Sequence, residues 1–173
     1  DQRIKNKLLS EWTGPKGKKI TRFSQIGVLS EVIGSIRNEL EAIFMSHSFH
    51  LPGGKKEILL TSGNFVKAKP LGIIDGVDFE SSGEVRKVNA LAINRQLDTN
   101  AILLVPPIGF APGGELFYLN SDEVACKIAC AVSADKLIYL SEVPGLFDQE
   151  KQIISEIDLS REKEELTEQN LYH

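Results

Sequence analysis

The residues best placed for chemistry stand at the start of a helix late in the chain. Asn120 and Ser121 precede Asp122 and Glu123, and an apolar stripe follows at Val124, Ala125, Ile128, Ala129 and Val132. A helix N-terminus carries unpaired N–H groups, so Asn120 and Ser121 could face an anionic ligand. The same pattern also describes a plain helix cap, with Asp122 and Glu123 favourable against the helix dipole. Two further loops follow apolar runs, Pro106 to Gly114 and Ser141 to Asp148. In open α/β sheets ligands sit beyond the C-terminal ends of strands, and all three loops fall at such ends.

Signatures of self-contained catalysis are missing. The glycines of Gly14-Pro15-Lys16-Gly17-Lys18-Lys19 stand too close together for a phosphate-cradling loop. No Gly-x-Gly-x-x-Gly follows a strand, and no Gly-x-Ser-x-Gly elbow occurs. Cys126 and Cys130 lie four apart on one helix and read as small buried residues. A metal pair would need further ligands, and His47, His50 and His173 show no matching spacing. The residues therefore predict a metabolite-binding domain with no catalytic residue, metal or cofactor of its own.

Composition narrows the class. The chain has 173 residues, 42% hydrophobic and 25% charged, which is the range of one ordinary globular domain. Its net charge of −4 argues against a duplex nucleic-acid partner, which needs clustered cations. The densest basic run, Lys16, Lys18 and Lys19, reads as a solvated turn. No apolar run has the length of a membrane span and no signal peptide opens the chain, so the expected location is cytoplasmic. The polar helix expected over residues 1–10 has no initiator Met, and the chain is expected to be cut from something longer.

The elements that would position these loops can be read from periodicity. Ser24 is a plausible N-cap for a helix with apolar residues at Leu29, Val32, Ile33, Ile36, Leu40, Ile43 and Phe44. Turn chemistry at Leu51-Pro52-Gly53-Gly54 precedes strand-like runs at Glu57–Thr61 and Asn64–Lys69. Between Ile73 and Val88 the pattern becomes a polar hairpin, with its turn expected at Ser81-Ser82-Gly83. A short helix over Ala90–Leu97 leads to Ala101–Val105, a run expected to be a strand covered on both faces. Gly113-Gly114 turns into Leu116–Leu119, and Lys136–Leu140 reads as a last buried strand. Ser160–His173 is charged and peripheral. This order predicts an α/β fold, a mostly parallel sheet between helix layers with a β-hairpin excursion.

Three segments carry a family resemblance: Ser62-Gly63-Asn64-Phe65, Pro70-Leu71-Gly72-Ile73-Ile74-Asp75-Gly76-Val77-Asp78, and Arg95-Gln96-Leu97-Asp98. With them the chain resembles bacterial N-acetylglutamate synthase, within that enzyme's amino-acid-kinase-like domain. Leu119–Ala125 and Ala134–Gly145 echo the wider kinase superfamily. The resemblance implies that residues 1–173 form a partial regulatory, arginine-binding and assembly domain, incomplete at both ends. It further implies an oligomeric amino-acid N-acetyltransferase of arginine biosynthesis, inhibited by L-arginine. Acetyl-CoA and L-glutamate would be used by a C-terminal acetyltransferase domain absent from this chain, leaving the fragment alone inactive.

Carried over by position, Lys136 is similar to the lysine that helps bind arginine, where an ammonium would meet the inhibitor's α-carboxylate. The alternative is a lysine at a strand's start with its head at the surface. Arg22 looks like the kinases' substrate-carboxylate arginine. Asp122 resembles the residue that organises their phosphoryl-transfer lysines, and Ser141 and Glu142 sit where they contact nucleotide. With Asn120 these form a vestigial kinase-type site. Tyr118 stands where the kinase pattern usually has Asn, a departure that weakens phosphoryl transfer. Acetylglutamate kinase, phosphorylating N-acetylglutamate with ATP, is the alternative enzyme, and a pure assembly module is the non-enzymatic one.

Overall fold

A computed structural model describes residues 12–48, 59–140, 145, 147–148 and 152–157. The opening helix, the turn at residues 51–54, His50, Ser141, Glu142 and the charged segment 160–173 lie outside the described residues. The chain divides into two units, Asp1–Leu137 and Ile138–His173.

The first unit opens with the short strands β1 (Trp12–Thr13) and β2 (Lys19–Ile20), paired antiparallel around one 3-10 turn. Helix α1 follows over Phe23–Ser48. Its three- and four-residue spacing puts Leu29 and Val32 into the core, with Ile26, Ile33 and Ile36 packed beside them. The helix starts one residue before the expected cap, so Ser24 lies in its first turn. The capping oxygens belong instead to Gln25, which accepts from the Arg22 N–H at 2.9 Å, and to Glu80, which accepts from the Phe23 N–H at 2.7 Å.

The main sheet is mixed. Strand β4 (Val66–Pro70) pairs antiparallel with β7 (Gly83–Val88) and parallel with β9 (Ile108–Phe110), which pairs antiparallel with β10 (Leu116–Tyr118). Alternation sends Val66 and Ala68 to the inner face, where Leu119 and Val124 complete a core flanked by Val85, Phe117 and Ile128. Two glycines allow this curl to close. A Cβ on Gly83 would stand 2.8 Å from Phe117 Cβ and 2.9 Å from the Lys69 carbonyl oxygen, and one on Gly109 would stand 2.8 Å from Ala68 Cβ. At one end the two edge strands meet, Ser82 bridging to Tyr118.

A second, parallel pairing joins β3 (Leu60–Thr61) to β8 (Ile102–Leu103), with helix α2 (Ala90–Leu97) in the connection. Asn89 caps α2 by accepting from the Ala92 N–H. Helix α3 (Ser121–Val132) packs against β7 and α2, with Val124 buried and Ala125, Ile128, Ala129 and Val132 half-buried, as its stripe predicts.

Four sequence expectations are corrected. The hairpin turns at Asp75-Gly76, between β5 (Ile73–Ile74) and β6 (Val77–Asp78), and both turn residues have positive φ. Asp-Gly is the signature of that turn type. Ser81 and Ser82 are buried and do not turn the hairpin: Ser82 donates its N–H to Phe79 O at 2.8 Å in a separate tight turn that leads into β7, and β7 pairs with β4. Ile102 is exposed, so the Ala101–Val105 run is not covered on both faces. Lys136–Leu140 forms no strand, and Leu140 is 97% exposed. An apolar run becomes a strand only where a neighbour takes its backbone N–H and C=O groups. Cys126 and Cys130 are exposed, on the face of α3 turned away from its apolar stripe.

In the second unit, Phe147 and Ile153 form an antiparallel bridge, closed by the Asp148 N–H donating to Gln152 O at 2.9 Å. No helix among the described residues is long and apolar enough to cross a membrane.

Candidate functional site

The loop before α1 and the loop before α3 are drawn to the same end of the main sheet by a short run of backbone hydrogen bonds. Ser81 donates its N–H to Thr21 O at 2.9 Å, and Tyr118 donates its N–H to Ser81 O at 2.9 Å. Arg22 follows Thr21 directly, and Asn120 follows Tyr118 by two residues, so both are carried by this junction. Its interior is polar but satisfied. The Ser82 hydroxyl accepts from the Thr21 N–H at 2.6 Å and donates to Lys19 O at 3.1 Å. Thr21, Ser81 and Ser82 are all buried, and among the described residues no buried side-chain polar atom lacks a partner.

Packing fixes the junction from both sides. Tyr118 lies against the Leu29–Val32 cluster of α1. Phe79, fully buried, anchors the residues between the β5–β6 hairpin and Ser81. Burying a Phe side chain contributes roughly 2–3 kcal/mol. Phe79 also donates its N–H to Gly72 O at 3.0 Å, which closes the base of the hairpin. Glu80 is held with φ of 46°, its N–H bonded to Asp78 Oδ1 at 2.9 Å. A left-handed backbone at a non-glycine residue costs free energy and persists only where the surroundings hold it.

Of the residues assigned by resemblance, the structure gathers Arg22, Asn120 and Asp122 at this end. Asn120 Oδ1 accepts from the N–H groups of Asp122 at 2.9 Å and Glu123 at 3.0 Å. The Asp122 and Glu123 N–H groups of α3 are thus already taken by its own cap. At the start of α1, Glu80 takes the Phe23 N–H while Gln25 takes that of Arg22 just before it. An anion would have to displace these oxygens to bind at either helix start. Asp122 and Glu123 add negative charge there, and Glu123 is committed to the Val85 N–H of β7 at 3.2 Å. Of the two readings of Asn120-Ser121, the cap is the one observed.

Lys136 is exposed in irregular chain beyond the left-handed C-cap of α3 at Ser133. Ser141 and Glu142 lie outside the described residues. Sequence reasoning missed Thr21, Glu80, Ser81 and Ser82. Nothing periodic marks them, because their roles come from contacts made across the chain. Among the described residues no cluster of three or more His, Cys, Asp or Glu could hold a metal ion.

The profile of the amino acid kinase family matches residues 6–171. An amino-acid acetyltransferase of Ralstonia nicotianae is 37% identical over 155 residues, covering 90% of this chain and 34% of its own. A second, from Ectopseudomonas mendocina, is 37% identical over 139 residues, covering 80% of this chain and 32% of its own. Among solved structures, N-acetylglutamate synthase of Neisseria gonorrhoeae complexed with coenzyme A and L-arginine superposes with a TM-score of 0.81 at 28% identity, over 94% of this chain and 38% of that one. The same enzyme complexed with coenzyme A and N-acetyl-glutamate gives 0.73, over 87% and 34%. The chain therefore spans about a third of the length of the curated relatives it matches.

Proposed function

This chain belongs to the amino acid kinase family, and from that premise we propose that it is the kinase-like regulatory domain of an N-acetylglutamate synthase. The observation that carries the reading is its likeness, over nearly its whole length, to the arginine-bound synthase of N. gonorrhoeae. The parent protein would transfer the acetyl group of acetyl-CoA to the amine of L-glutamate, through a further acetyltransferase domain. This domain would bind L-arginine and support a homo-oligomer. Acetyl-CoA would then be a co-substrate of the other domain, with no cofactor held here. The named relatives are acetyltransferases, which favours the synthase over acetylglutamate kinase.

Within this reading Lys136 meets the α-carboxylate of arginine, and its exposure leaves the ammonium open to a ligand. Arg22, Asn120 and Asp122, with Ser141 and Glu142, are the remains of a kinase-type site. The capped helix starts are consistent with that, since phosphoryl transfer depends on donors left open to the phosphate. Isothermal titration of L-arginine into the full-length protein tests the proposal. Saturable binding that Lys136→Ala weakens, with inhibition of acetyl transfer, is expected. No heat at millimolar arginine, or ATP-dependent phosphorylation of N-acetylglutamate, would overturn it.

A further inference from the structure

The outward face of β4 and β7 carries a concentration of positive charge of which, among the described residues, only Lys69 is paired within the fold. Lys67 and Lys87 are direct cross-strand partners, and so point to the same side. Like charges placed opposite one another in a sheet are destabilising. Lys69 stands two residues along on that side, opposite Glu84, with which it forms an ion pair at 2.7 Å. The register shift between Lys67 and Ala68 leaves Arg86 as the extra residue of a bulge, also exposed. Lys18 and Lys127 add to the positive field at the Glu84 carboxylate. Among the described residues Lys67, Arg86 and Lys87 have no acidic partner, while the chain as a whole is negative, at −4.

We propose that this face of β4 and β7 docks an acidic, Asp- and Glu-rich segment of a partner protein. Charge complementarity argues for the sign of the partner, because only an anion relieves the Lys67–Lys87 juxtaposition. The neighbouring strand argues for its class. Phe110 pairs with Lys67 and Leu116 with Phe110, so two half-buried apolar side chains continue the same face. A surface that mixes exposed ammonium groups with apolar side chains suits a peptide better than a phosphate backbone, and Glu84 within it disfavours phosphates further. The cations stand on strand neighbours of an exposed sheet face, which an extended segment can follow.

Fluorescence anisotropy with a labelled poly-L-glutamate peptide tests this on the whole chain. Binding that weakens as salt rises is expected, as for any exposed charge pairing. Lys67→Glu with Lys87→Glu should weaken it by about tenfold or more, while Arg37→Glu with Arg95→Glu, equal in net charge but on helices, should leave it within about twofold. The first pair preserves a like-charge juxtaposition, so its melting temperature should stay close to the parent's. Should it fail to fold, Lys67→Gln with Lys87→Gln must show an intermediate loss of affinity. Equal losses in the two charge-reversed pairs would overturn the proposal, as would absence of binding at low salt. So would tighter binding of inorganic polyphosphate than of the peptide, or concentration-dependent self-association abolished by the Lys67 and Lys87 changes. Arginine binding plays no part in the readout, so this proposal and the regulatory one fail separately.

Discussion

Glu80 caps a helix that begins 57 residues before it, its carboxylate accepting the Phe23 N–H at 2.7 Å. The same residue is held in a left-handed backbone conformation. A helix start is thereby tied to the base of the β5–β6 hairpin, and Arg22 is placed between them.

Replacing Glu80 with alanine removes the cap but leaves the unfavourable φ. The expected cost is about 1 kcal/mol, within the range measured for lost N-caps. Glu80→Gly also loses the cap but relieves the backbone, so it should cost less than alanine. Urea unfolding of the two variants gives the order.

Glycines at different places should respond in opposite directions. Gly27 and Gly34 lie within α1 with nothing near their would-be Cβ atoms, so alanine at each should stabilise by about 0.5–1 kcal/mol. Gly83 and Gly109 face rigid backbone or Cβ atoms within 3 Å, and alanine at either should destabilise by about 1–3 kcal/mol. Thermal melts of the four single variants would separate the groups.

Asn120 predicts a graded series. Asn120→Ala leaves the Asp122 and Glu123 N–H groups without their acceptor and should cost about 1 kcal/mol, while Asn120→Asp should retain most of the stability. If Asn120 were instead held for a ligand, alanine would alter ligand affinity with little effect on unfolding.

The Glu84 carboxyl titrates below its ordinary value of 4.5, first through its hydrogen bond from Lys69 and then through the charges of Lys69, Lys18 and Lys127, with burial opposing. A carboxyl whose pKa is lower folded than unfolded adds stability above the unfolded value and loses it as pH falls through the folded one. Lys69→Met should therefore be less stable than the parent at neutral pH, and the gap should close in acid below that ordinary value. Denaturant midpoints across that range check the sign. A gap that widens in acid would assign the shift to another group.

Local chemistry was legible in the sequence, and long-range pairing was not. The apolar stripe of α3, the first half of that of α1, the Asn120 cap and the helix Ala90–Leu97 follow from spacing and capping preferences that act within a few residues. Ile43, on the later half of α1's stripe, is exposed. Asp75-Gly76 is a turn signal in its own right, yet the sequence reading expects the hairpin turn at the serine–glycine run after Phe79. What decided between them was the pairing of β7 with β4, set by Ala68 and Gly83 fitting against Phe117 and Leu119. Lys136–Leu140 shows the reverse error, since strand composition does not supply a strand partner. Cys126 and Cys130 lie off the apolar stripe of α3 that spacing itself marks, so the expectation that they are buried gives the usual burial of cysteine more weight than that spacing. At the site, Asn120 and Asp122 could be placed on a helix start, whereas Thr21, Glu80, Ser81 and Ser82 only become neighbours once the chain has folded back.

That folding back sets an order on synthesis. The Thr21 N–H finds its acceptor on Ser82, 61 residues later, and the Phe23 N–H waits equally on Glu80. A ribosome must therefore release all of α1 and both hairpin strands before the start of α1 can be secured. Contacts this distant in sequence form slowly, because a long loop must close before they contribute. During that interval the apolar stripe around Leu29 and Val32 has neither Tyr118 nor its capping carboxylate, so it stays open to water until β10 has been made.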